Sequence, residues 1–195
     1  MAFGNFTAYA SYALYPTLLT KVKGLDPAAI FPLVAAHTIA GIISFPLGGY
    51  LAKRFGERRM LMIYTLLAIP TAVLFVLPEA RLPLFFGSLL LGFFPGSIWG
   101  IVPSYLSRRF TAEERSFGLG VAGAFNSVGN FAPTVISMLA VTWGLGGSML
   151  AAMIAATTML LVTVSFNTDR WIVVPEDRHE QLNKNFVSAK ADAPI

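Results

Sequence analysis

Gly49-Tyr50-Leu51-Ala52-Lys53-Arg54-Phe55-Gly56-Glu57-Arg58-Arg59 is a short, charge-dense knot between two long apolar runs. No formal charge occurs in residues 27–52 before it, or in residues 60–78 after it. Roughly 20 apolar residues in a helix cross a bilayer core. A tight loop of clustered Arg and Lys between two such runs therefore reads as a cytoplasmic turn between transmembrane helices.

The composition agrees with this reading. Of 195 residues, 55% are hydrophobic and 12% charged, whereas a soluble domain carries about 25% charged residues. The 17 Gly and 12 Pro sit inside apolar runs, where membrane helices tolerate them. The fold class expected is an all-α integral membrane protein. Its net charge of +4 lies in the loops, so the natural partner is the anionic leaflet rather than nucleic acid. With no Cys, neither a disulfide nor a thiolate metal site is available, and no metal or other cofactor is expected. Met1 is followed by no basic segment, so no cleaved signal peptide is expected.

Uncharged runs predict spans at 1–20, about 28–51, 60–77, 82–106, 117–139 and 148–164. The last two share one uncharged stretch, and Gly144-Leu145-Gly146-Gly147 is the place to turn. The expected domains are a six-helix transmembrane bundle over 1–167 and a polar cytoplasmic tail over 168–195. Lys53, Arg54, Arg58, Arg59, Arg108, Arg109, Arg115, Arg170, Arg178, Lys184 and Lys190 fall on one side, and only Lys21, Lys23 and Arg81 on the other. The bias of basic loop residues toward the cytoplasm puts both termini there, in a bacterial inner (plasma) membrane.

The spans differ in character. His37, Gly41, Ser44 and Gly48 share a face of the second. The fourth carries Gly92, Gly96 and Gly100 on one stripe and Pro95, Trp99 and Pro103 on the next. The fifth stacks Gly123, Asn126, Asn130 and Pro133, with Gly120 beside them. Small-residue stripes let helices approach closely, and polar groups within spans line cavities. Spans one, two, four and five are thus expected to face inward, with three and six as lipid-facing support. Gly118-Leu119-Gly120-Val121-Ala122-Gly123 fits a dinucleotide fingerprint in form. It lacks the preceding strand that the motif requires, so it reads as helix packing.

The opening loop resembles the signature of the major facilitator superfamily, Gly-x-x-x-Asp-Arg-x-Gly-Arg-Arg. Gly49, Arg54, Gly56 and Arg58 match it, while Lys53 stands in place of the acid and Glu57 in place of an Arg. That degeneracy, with Pro103 to Gly118 resembling the loop into helix eleven of sugar and organic-acid carriers, implies helices seven to twelve, the C-terminal half. The resemblance implies that Gly49, Arg54, Gly56 and Arg58 form a conformational latch; the alternative is that these charges only set topology. Asn5, Ser11 and Thr17 resemble in spacing a motif of the sialate–lactate branch of carboxylate:proton symporters, with Ala8, Tyr9, Tyr12 and Ala13 at its other polar positions. The function so implied is secondary active transport of a small carboxylate such as lactate, pyruvate or sialate by proton-coupled alternating access.

Substrate contacts are expected from Asn5, Tyr9, Ser11, Tyr12, Trp99, Asn126 and Asn130, each of which could instead serve interhelical packing. His37 is the one ionisable residue well inside a span; it either carries a proton or sits neutral on a carbonyl. The expected partners are a small-molecule substrate, membrane lipids and an N-terminal six-helix half, because the first span starts at Met1. An intramembrane serine protease would need a Ser nucleophile in a Gly-x-Ser-Gly context, which is absent, so no enzyme is expected. A non-transporting scaffold or an inert carrier fragment is the alternative.

Overall fold

The structure, a computed structural model, describes residues 1–111 and 113–166; the tail expected over 168–195 lies outside them. Among the described residues every regular element is helical. In order they are α1 (Ala2–Thr17) with a π-helical turn (Leu18–Val22), α2 (Pro27–Phe55), α3 (Glu57–Val76), α4 (Arg81–Ser107), α5 (Arg115–Asn126) with a 3-10 turn (Ser127–Phe131), and α6 (Ala132–Ser165). The boundaries have local causes. Pro27 opens α2 in the first turn, where its missing N–H costs nothing. Gly56 ends α2 with φ +95 and starts α3 in the same step, a backbone state that glycine alone adopts cheaply.

Four helical runs are long and apolar enough to cross a membrane: α2, α3, α4 and the run Arg115–Ser165. Six had been expected. α1 has 16 residues before the helix widens at Leu18, and the last run is continuous except at Gly144 (φ 71, ψ 163). Glycine there breaks the helix where the sequence placed a turn. The fifth run also departs from a simple span, because it tightens to 3-10 geometry over Ser127–Phe131.

α2 packs along α4, α3 bridges α4 and α6, and α1 lies against α6 and the 3-10 turn. Two apolar clusters fill the interior. One gathers Tyr15, Leu18, Leu33, Phe75, Leu84, Ile136 and Met149; the other joins Leu61, Tyr64, Ile98, Ile101 and Leu160 at the cation-rich end. Outward faces stay apolar, with Phe31 76% and Val141 86% exposed. Surfaces of that kind suit hydrocarbon and not water.

The α2–α4 seam is a pair of interlocking notches. A Cβ on Gly92 would run into the His37 carbonyl, one on Gly96 into Ser44 Oγ, and one on Gly100 into the Phe45 carbonyl. In the other direction a Cβ on Gly48 would lie 2.6 Å from the Ser97 carbonyl oxygen. The glycines of α5 behave differently. Gly118 abuts the Phe110 ring, but Gly120 and Gly123 meet nothing within 4 Å. Helix packing, expected of this stretch, is thus confined to its first glycine, because the rest of α5 stands away from its neighbours.

Candidate functional site

α1, α2, α4 and α5 enclose an open cavity of about 630 Å³. Asn5, Tyr9, Ser11 and Tyr12 line it from α1, Phe45 from α2, Pro95 and Trp99 from α4, and Asn126 from the end of α5. Six of the seven expected substrate contacts thus share one concavity. Asn130, the seventh, lies on the 3-10 turn and reaches the wall through Asn5.

Asn5 is the junction. Its Nδ2 donates to the Asn126 backbone carbonyl and to Asn130 Oδ1, both at 2.8 Å. The change of helical geometry makes this possible, since Asn126 marks the step from α5 into the tighter 3-10 turn. Close approach is secured by Gly129, where a Cβ would lie 2.6 Å from the Phe6 amide nitrogen. The Asn126 side-chain oxygen is buried beside the cavity and has no partner among the described residues. Ser11, by contrast, is buried and returns its hydroxyl to the Ala8 carbonyl at 2.8 Å.

Tyr9 and Tyr12 are 42% and 48% exposed, and with half-buried Trp99 they give the cavity aromatic walls. Behind Tyr12 stands His37, 2% exposed. Their rings meet edge to face at 4.5 Å, and Tyr15 and Phe75 close the other sides. His37 Nδ1 lies 3.1 Å from the Ser88 carbonyl. Only an N–H can donate there, so the neutral ring leaves Nε2 as an acceptor, and Nε2 is buried without a partner among the described residues. Ser88 Oγ also bonds the Tyr15 hydroxyl. Sequence alone did not point to Ser88 or Tyr15, because their roles come from neighbours distant along the chain.

The profile of the Major Facilitator Superfamily matches residues 1–191. The chain belongs to that superfamily. Two superfamily relatives show its reach. The niacin transporter NiaP of Acinetobacter baylyi is 26% identical over 131 residues, covering 67% of this chain and 30% of that protein. The nitrite extrusion protein of Bacillus subtilis is 28% identical over 141 residues, covering 70% and 34%. The chain thus spans about a third of the length of the curated relatives it matches. A POT-family peptide transporter of known structure shares the fold with a TM-score of 0.72 at 21% identity, over 89% of this chain and 36% of that one.

The stretch that resembles the superfamily's signature loop lies at the junction of α2 and α3. Arg58 Nε donates to the Val164 carbonyl at 3.1 Å and its Nη2 to Ser165 at 2.7 Å. It thereby caps α6, whose terminal carbonyls attract cations. Glu57 pairs with Arg108 from the end of α4 at 3.5 Å. Gly49 faces the Gly100 carbonyl, and Arg54 lies over the Phe55 ring at 5.6 Å. Among the described residues no cluster of His, Asp or Glu has metal-binding geometry.

Proposed function

We propose that the chain forms the carboxy-terminal six-helix half, helices seven to twelve, of a secondary transporter for a small carboxylate. The observation that carries this reading is the cavity, where amides and aromatic rings from four helices converge in a superfamily fold. Six crossings are supported by length. The run Arg115–Ser165 has 51 residues, about 76 Å as straight helix, more than twice a hydrocarbon core of about 30 Å. Reversal at Gly144 makes it two crossings. α1, continued by its π-helical turn, makes another.

Residues 1–167 are then the half-bundle and 168–195 its tail, with both termini cytoplasmic in a bacterial inner membrane. In a two-half carrier the solute lies between the halves near the bilayer midplane. This chain supplies one wall, and a six-helix amino-terminal half supplies the other. Asn5, Tyr9, Tyr12, Trp99 and Asn126 hold the solute by hydrogen bonds and stacking; Asn130 positions Asn5, and Ser11 lines the wall beside them. The relatives' names support an anionic cargo, since niacin is an aromatic carboxylate and nitrite a small oxyanion. Among lactate, pyruvate, sialate and niacin, a hydroxylated carboxylate also supplies the donor that the Asn126 side-chain oxygen lacks.

His37 takes the coupled proton on Nε2, with its Nδ1–H anchored on Ser88. The Arg58 and Glu57 contacts act as a latch at the cytoplasmic end. They hold α3 to α6 and α4, while Gly56 lets the backbone make the turn, Gly49 fits α2 against Gly100 and Arg54 adds charge.

Reconstitution of the chain, alone and with a six-helix amino-terminal half, tests this. Uptake of labelled lactate, pyruvate, sialate and niacin is measured with and without a pH gradient. Gradient-stimulated uptake of one of them by the pair is expected. No uptake in any combination would favour a non-transporting scaffold.

A further inference from the structure

We propose that the cleft between the α2–α3 turn and the end of α4 binds the headgroup of an anionic phospholipid. The cleft has a volume of about 610 Å³ and is lined by Lys53, Glu57, Arg58, Arg59, Tyr105 and Arg108, with Phe55 at its edge. Among the described residues of the cleft, four cations surround one acid. That acid is already engaged, because Glu57 is 10% exposed and held by Arg108, whose own side chain remains 71% exposed. Arg58 is turned away to cap α6. No acidic side chain among the described residues pairs with Lys53 or Arg59, and both are exposed. The net field in the cleft is therefore positive, and a phosphate with its remaining charge uncompensated is the complementary ligand.

The surroundings select an amphiphile over a free anion. The cleft's apolar side is made by Ala52, Phe55 and Tyr105. Phe55 is 50% exposed and Tyr50, one turn earlier, 61%; aromatic rings at helix ends sit at the headgroup level of a bilayer. α2 carries exposed Ile42, Ile43 and Leu47 onward from there, a continuous apolar surface for acyl chains below the phosphate. Lys53 adds an exposed cation to those of Arg58, Arg59 and Arg108. The inference rests on the cleft alone and is independent of the cargo.

The test uses the purified full chain in detergent and short-chain dioctanoyl phosphatidylglycerol, with binding followed by thermophoresis. Lys53→Gln/Arg59→Gln is expected to weaken binding roughly thirtyfold, as loss of two near-surface cations does. Lys53→Arg/Arg59→Lys should restore it, and Lys21→Gln, a cation at the other membrane face, should leave it unchanged. Unchanged melting temperatures would exclude misfolding as the cause. Equal binding by Lys53→Gln/Arg59→Gln and the parent chain would overturn the proposal, and so would equal binding of dioctanoyl phosphatidylcholine. Displacement of the lipid by an equal concentration of inorganic phosphate would also overturn it, identifying a soluble-anion site instead.

Discussion

The ring of Tyr12 meets the ring of His37 edge to face at 4.5 Å and separates it from the cavity. The two come from different helices, so the contact seals a buried imidazole behind a side chain that is itself half open to the cavity. In the proposed coupling, a proton would reach Nε2 from the cavity past Tyr12, whose ring packs directly on the imidazole.

This arrangement predicts a change in chemical reactivity. Diethylpyrocarbonate attacks an unprotonated, accessible imidazole nitrogen, and His37 in the parent chain should react slowly. Tyr12→Ala should accelerate modification at His37 severalfold and leave His179 unchanged, as read by peptide mass spectrometry. Tyr12→Phe keeps the ring and should behave like the parent. Equal rates at His37 in all three chains would mean that Tyr12 does not guard it.

Gly92 in the notched α2–α4 seam and Gly120 on α5 should respond to substitution in opposite ways. Gly92→Val pushes methyl groups into the His37 carbonyl, a backbone atom that cannot swing aside. Overpacking of that sort costs about 1–3 kcal/mol, and the melting temperature in detergent should fall by several degrees. Gly120→Ala adds a methyl to open space and removes glycine's conformational freedom from a helix, a gain of roughly 0.5–1 kcal/mol. A stabilising Gly92→Val would contradict the seam.

Asn5 offers a test of the amide junction. Asn5→Leu leaves the Asn126 carbonyl and Asn130 Oδ1 without their donor. Interhelical hydrogen bonds in membranes average about 0.6 kcal/mol each, so a loss of about 1 kcal/mol is expected. Asn5→Asp should cost more, because its carboxylate would face two acceptor oxygens. Thermal unfolding of the three chains side by side gives the ranking, and an Asn5→Asp chain as stable as the parent would refute the assigned donor.

The helical architecture was legible because charge marks where helices leave the bilayer. Lys53–Arg59 lies across the α2–α3 junction, and Arg108–Arg115 spans the break between α4 and α5. Glycine at 144 marked the interruption of the last run for the same local reason, its access to positive φ. Periodicity also grouped Asn5, Tyr9, Tyr12, Trp99 and Asn126, since polar and aromatic residues on inward faces converge when the helices pack. Distant partners were not legible. The Ser88 carbonyl that holds His37, the Tyr15–Ser88 bond and the α6 carbonyls that hold Arg58 depend on tertiary proximity. The 3-10 tightening at Ser127–Phe131 was missed as well, because it follows from docking Gly129 against α1 rather than from local propensity.

A second, apolar groove lies among Phe3, Val135, Leu139, Trp143 and Met159; in the proposed transporter the cavity of α1, α2, α4 and α5 is the aqueous solute site and this groove is not. The chain contains no Cys, so a single introduced thiol reports on its own surroundings. Ala8→Cys lines the cavity, and Ala155→Cys lines the groove formed with Phe3, Leu139 and Met159. With the chain paired to a six-helix amino-terminal half in liposomes, a charged, membrane-impermeant thiol reagent should label Ala8→Cys and spare Ala155→Cys. A carboxylate that is the proposed cargo should slow the labelling. Ala8→Cys that stays unlabelled while Ala155→Cys reacts, or labelling that no carboxylate slows, would contradict the account.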